Sequence, residues 1–203
     1  MSEPWRKRVG ELEYKALYAL VVAGKSAKFA EAFMGRFLER FCSEGQSIFD
    51  CIIDLNDKGI LRAALEECRS GNYGKLCRAL PMLARLTPED LATWTPADLE
   101  KIPGIGPKTS RFFILWTRPD ARVAALDVHI LRWLREHGYD APRTTPANPK
   151  TYARLEAAFL QEADKRGMSP RDFDYSIWQE GSGYADAAPL FTQTSDTEQG
   201  DGR

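Results

Sequence analysis

Lys108 and Asp127 are the two residues of this sequence whose surroundings give a side chain something to do. An amine is a nucleophile or an anion ligand, and a carboxylate is a base or a stabiliser of positive charge. Lys108 lies in Ile102-Pro103-Gly104-Ile105-Gly106-Pro107-Lys108-Thr109-Ser110. Thr95-Pro96-Ala97-Asp98 starts a helix with a hydroxyl cap, a proline and an acid in the first turn, and that helix is expected to stop at Pro103. Two glycines flank one apolar residue, and Pro107 opens a second helix. This is a helix-hairpin-helix pattern. A Gly-x-Gly between helices can be a plain tight turn, but backbone N–H groups of Gly104 to Gly106 at a helix N-terminus can also cradle a phosphate without reading sequence. Lys108 sits in the first turn, where the helix dipole disfavours a cation by about 0.3 to 1 kcal/mol. Such placement suggests a task. Asp127, in Ala125-Leu126-Asp127-Val128-His129, follows an extended or irregular run and by itself reads as an N-cap.

The rest of the chain reads as helical scaffold. Residues 5 to 22 form an amphipathic helix ending at Gly24. Ser26 caps a second helix that repeats Phe29, Phe33, Phe37 and Phe41 every four residues, a core stripe. Three or four short helices fill Gln46 to Arg85, and Thr87-Pro88-Glu89-Asp90 starts another. The hairpin's second helix runs from Pro107 to about Thr117 and is apolar on most faces. Residues 151 to 165 are amphipathic, and Ser169-Pro170 caps a last helix. Ala185 to Arg203 carries four acids against one arginine with few apolar groups, and disorder is expected there. The expected organisation is one all-α domain over 1–184 and an acidic tail over 185–203.

Composition narrows the options. The 203 residues are 43% hydrophobic and 28% charged, ordinary for a globular chain. No run has the apolar length of a membrane span and no signal peptide opens the chain, so a cytoplasmic location is expected. A net charge of −1 is uninformative, but residues 101 to 135 hold seven basic residues against two acids, and this is the motif segment. A solvated helix face could show the same surplus. Cys42, Cys51, Cys68 and Cys77 include no closely spaced pair, and they read as four buried small hydrophobes. The two histidines, His129 and His137, cannot build a metal site between them, and His129 reads as a hydrogen-bonding core residue.

The hairpin together with Asp127 and His129 resembles the helix-hairpin-helix DNA glycosylase superfamily, the group that includes endonuclease III. The family signature is L-P-G-I/V-G-x-K-T-A followed about twenty residues on by V-D-T-H. Pro103, Gly104, Gly106, Lys108 and Thr109 match its first part, and Asp127 and His129 its second. Asp174 to Gly181 is similar to the D-x-x-I/L-W-x-x-G with which members often end the domain. The resemblance implies an all-helical, two-lobed bundle that binds double-stranded DNA and flips a nucleotide into the cleft. It makes Asp127 the catalytic carboxylate, puts Lys108 where bifunctional members carry the amine nucleophile, and assigns Gly104, Ile105, Gly106, Lys108 and Thr109 to the DNA backbone. The four clustered cysteines that hold an iron-sulfur cluster in many relatives have no counterpart after the catalytic segment, so no metal or other cofactor is expected.

One departure bears on activity. Repair members usually have S-A/Q-Q-T between the first two helices, where the glutamine fills the gap left by the flipped base. This chain has Val22-Ala23-Gly24-Lys25-Ser26-Ala27. An ammonium only donates, so Lys25 cannot satisfy an orphaned base, and it suits an anionic group instead. Over residues 14 to 180 the chain looks like the phage amino-acid:DNA transferases of thymidine hypermodification. Those are thought to replace the pyrophosphate on 5-(hydroxymethyl)uracil in DNA with an amino acid such as glycine. The resemblance implies a monomer in which Lys25 and Ser26 contact the leaving group or lesion. A base-excising glycosylase with strand-cleaving activity and a non-enzymatic DNA-binding module remain alternatives.

Overall fold

The computed structural model describes residues 10–182, which form eleven helices and no strand among them. The start of the first expected helix and the acidic tail lie outside the described residues. α1 (Glu11–Val21) and α2 (Ala27–Phe41) are joined by a short turn in which Ser26 Oγ accepts from the Phe29 N–H at 3.2 Å. α3 (Ile48–Asp57), α4 (Leu61–Glu67) and α5 (Tyr73–Leu83) fill the next stretch. α6 (Pro88–Thr93) and α7 (Pro96–Leu99) both begin with a reciprocal capping box, Thr87 with Asp90 and Thr95 with Asp98. α7 ends four residues before Pro103, because the chain tightens into successive turns through Lys101, Ile102 and Ile105. α8 (Pro107–Thr117) follows the hairpin, and α9 (Val128–Glu136), α10 (Pro149–Lys165) and α11 (Pro170–Ser182) complete the described chain.

Two separate buried clusters account for two lobes. The first is built from α1 to α8 around Leu17, Phe33, Phe37, Ile52, Leu65 and Leu80. The second is built from α9 to α11 around Leu131, Leu134, Leu155, Phe159 and Phe173. Full burial of one such Leu or Phe stabilises by about 1.5–3 kcal/mol relative to exposure. Phe33 and Phe37 are fully buried with rings stacked 5.5 Å apart, as the stripe predicts, while Phe29 at its start is half-buried under the Lys25 ammonium. α8 is the spine of the arrangement, lying against α1, α7 and α11. Residues 118–127 then carry the chain from the first lobe to the second.

Two sequence expectations need correcting. Cys51 and Cys68 are buried, but Cys42 and Cys77 are only half-buried, since each sits near the rim of its helix packing. His129 is not a satisfied core histidine: its Nδ1 is sealed from solvent with no hydrogen-bond partner among the described residues. Also among the described residues, no three His, Cys, Asp or Glu side chains gather as metal ligands, and no helix is long and apolar enough to cross a membrane.

Candidate active site

The hairpin uses its two glycines differently. Gly104 has φ +94°, a conformation L side chains rarely adopt, and a Cβ there would fall 2.6 Å from Cγ of Lys75. Gly106 has φ −103° and nothing within 4 Å of the position a Cβ would take. The fold therefore requires glycine at 104 and leaves open space in front of 106. The Ile105 N–H is used within the turn, donating to the Ile102 carbonyl at 3.0 Å, which removes it from any phosphate cradle. The side chains of Ile105 and Thr109 are buried in the first lobe and pin the hairpin there. What Thr109 can offer a ligand is its backbone N–H, one of the orphan donors of the first turn of α8.

Lys108 projects from that same turn. Its ammonium lies 5.3 Å from the centre of the Phe112 ring, with no ion pair or hydrogen bond to it among the described residues. Lys75, which the sequence reading did not single out, reaches over Gly104 from α5 to the same place. Burial first, and the neighbouring Lys108 charge second, hold the Lys75 ammonium below the usual lysine range. Two cations thus meet at the mouth of the hairpin.

Asp127 caps α9 as its position in the sequence predicts. Its Oδ1 accepts from the N–H groups of His129 at 2.8 Å and Ile130 at 3.0 Å, so Oδ2 is the oxygen left for other work. α11 supplies a second carboxyl. Asp174 has an Oδ2 sealed from solvent and without a partner among the described residues. Its proton affinity is pushed up to about 8, by burial first and the Asp127 charge second, with Lys108 opposing. The charges of Asp127 and Lys108 therefore both reach Asp174, where α11 packs on α8 and α9.

The segment before Asp127 is held from three sides. The hydroxyl hydrogen of buried Tyr152 is shared between the carbonyls of Ala124 at 2.8 Å and Pro107 at 3.3 Å, and its oxygen accepts from the Leu126 N–H at 3.2 Å. Glu156 Oε1 accepts from the Ala124 N–H at 2.9 Å and from Arg111 Nε at 2.8 Å. Thr145 Oγ1 donates to the Leu126 carbonyl at 2.8 Å. Arg111 in turn bonds Glu100 at 2.7 Å and lies over the Tyr152 ring, 4.5 Å from its centre. These contacts join α8, which carries Lys108, to the extended segment that delivers Asp127. Geometry between amine and carboxylate is thereby fixed by α10.

Lys25 and Ser26 belong to the turn between α1 and α2. Ser26 is spent as the cap of α2. Lys25 is exposed, its ammonium 5.0 Å from the centre of the Phe29 ring and close against the turn at Gly71. The lysine beside Lys108 is Lys75, and no spacing rule reveals it, because α5 brings it there only through tertiary packing.

The solved structure of the Methanocaldococcus jannaschii 8-oxoguanine glycosylase/lyase, in complex with a 15mer DNA containing 8-oxoguanine, matches this chain with a TM-score of 0.61. The match covers 85% of this chain and 81% of that one, at 18% sequence identity. This chain has a helical DNA glycosylase fold. No protein-family model matches the sequence. At that identity the glycosylase likeness is one of chain path, and the roles of Lys75, Lys108, Asp127 and Asp174 rest on their own placement.

Proposed function

We propose that this protein is an enzyme acting on double-stranded DNA, which holds the backbone with the Gly104–Gly106 hairpin and flips a modified pyrimidine nucleotide toward Asp127 and Lys108. Its reaction is the exchange of a pyrophosphate on 5-(hydroxymethyl)uracil for the amine of an amino acid such as glycine. The observation that carries this reading is the neighbouring cations Lys75 and Lys108, the second of which acts on Asp174 together with Asp127: a place for a polyanionic leaving group near a base. The amine nitrogen bonds to the 5-methylene carbon as the carbon–oxygen bond to pyrophosphate breaks. The leaving group takes that electron pair to the two lysines, and Asp127 Oδ2 takes the proton the amine gives up.

A second reading, excision with strand cleavage, is favoured by the glycosylase/lyase likeness and by the Lys108 ammonium, which has no ion pair or hydrogen bond among the described residues. There the Lys108 amine would attack C1′ as the base leaves with the glycosidic electron pair; loss of the amine protons and opening of the C1′–O4′ bond would then give the imine, and elimination of the 3′-phosphate from it would cut the strand. Borohydride separates the two. Excision predicts a trapped covalent protein–DNA adduct that Lys108→Gln abolishes, whereas transfer predicts none. Duplexes carrying uracil, 5-hydroxymethyluracil or its pyrophosphorylated form, incubated with and without glycine and digested for mass analysis, complete the test. A free base or abasic site with no glycine adduct in any lane would sink the transfer reaction.

The hairpin has its own test. Gly106→Ala introduces a methyl group that meets nothing inside the protein, so helicity and stability should be retained. Against a phosphate the same methyl obstructs close backbone approach, and affinity should fall about equally for duplexes of any sequence. Unchanged affinity in a titration of fluorescent duplexes would remove the hairpin from the interface.

A further inference from the structure

α11 presents one carboxyl that the proposed reaction leaves unused. Asp174 lies between the buried Phe173 and Ile177, and its Oδ2 has neither solvent nor a partner among the described residues. α11 packs on α9, α10 and α8. α9 contributes Asp127 at its N-cap and α8 contributes Lys108 in its first turn, and both act on the Asp174 charge. From the end of α10, Arg166 lies over the neighbouring Phe173 ring at 5.1 Å and is bonded to Glu162. A charged carboxylate in this position would repel Asp127 and attract Lys108.

We propose that Asp174 is a positioning residue of this site, an un-ionised carboxyl in the working enzyme, whose neutrality leaves the negative charge on Asp127 alone and Lys108 free for the substrate. Removing the proton from Asp174 places a second negative charge beside Asp127, which makes Asp127 a stickier base that releases its proton poorly. It also gives Lys108 an internal counter-ion, so the ammonium is withdrawn from the leaving group or sugar. Asp174 as a whole is half-buried, but its Oδ2 is sealed from water and has no donor among the described residues, so charge on that oxygen goes uncompensated and the proton is kept. The inference rests on the reading that Asp127 and Lys108 form the reacting centre.

The sign of the stability effect follows from the raised proton affinity. Below about pH 4 Asp174 is protonated in both folded and unfolded chains. Between there and about pH 8 only the unfolded chain ionises, so this group progressively weakens folding, and above that the effect is constant. Asp174→Asn is neutral throughout. Its melting temperature relative to the parent should therefore rise from pH 4 to pH 8 and then level.

The experiment follows the Asp174 carboxyl carbon of the full chain by carbon-13 NMR against pH, together with melting curves and pH–rate profiles of the parent and Asp174→Asn. Expected are a titration near pH 8, the widening stability gap, and a parent rate that falls tenfold per pH unit on an alkaline limb absent from Asp174→Asn. A carboxyl titrating near pH 4, or a limb that persists in Asp174→Asn and so belongs to Lys75 or Lys108, overturns the proposal. An inactive parent with the titration and stability gap intact would instead count against the reaction assigned to Asp127.

Discussion

Asp127→Asn should fold as the parent does and lose at least about a hundredfold in turnover, the scale on which removal of a positioned base or charge usually registers. The two roles of Asp127 fall on different oxygens, which makes the variant informative. Oδ1 accepts from the His129 and Ile130 N–H groups, and an amide oxygen takes over both bonds. Oδ2, the oxygen left for chemistry, becomes an NH2 that can neither accept a proton nor balance positive charge. Asp127→Ala is the contrast: it should lose the same activity and also about 1 kcal/mol of stability with the cap. Thermal melts and single-turnover rates on both variants decide the matter. Normal turnover in Asp127→Asn would reduce the residue to a helix cap.

The largest stability loss is expected from Arg111→Met. The Arg111 side chain is 17% exposed and bridges Glu156, at 16%, and Glu100, at 30%. Removing the guanidinium leaves two partly buried carboxylates without their cation, which typically costs about 3–5 kcal/mol. For a chain of this length that is roughly 6–20 °C in melting temperature. Turnover should fall too, because Glu156 would no longer be oriented toward the Ala124 N–H that precedes Asp127. A melting point within a degree or two of the parent would show that the bridge is screened by water and holds nothing.

Helix starts were legible in the sequence wherever a cap announced them. Thr87, Thr95, Ser26 and Asp127 all cap as their residue types predict, and the turn from Pro103 to Pro107 was visible in its prolines and glycines. These are local rules, satisfied within four residues. The groups that surround Lys108 are non-local. Lys75 arrives from α5 and Asp174 from α11, each on a helix whose pattern records only which face is buried. A carboxyl oxygen sealed without a partner is a property of packing, so Asp174 could be read from sequence only as part of a terminal motif. Lys25, noticed for its departure from a motif, lies against Gly71 and Phe29, and the first of these contacts is again non-local.

The Tyr152 hydroxyl touches the carbonyl of Pro107, at the foot of the amine's helix, and the backbone on either side of Ala125, two residues before the acid. Amine and acid are in effect mounted on a single bracket that belongs to neither of their helices. The turn carrying Lys25 is held by its own cap and by contact with Gly71, four residues before the Lys75 that lies over the hairpin. The bracket grips backbone atoms rather than the side chains of Lys108 and Asp127, so the spacing of the two positions does not depend on what those side chains are. A scaffold held in this way separates placement from chemistry: the side chains at 108 and 127 can change without the backbone that presents them having to be rebuilt.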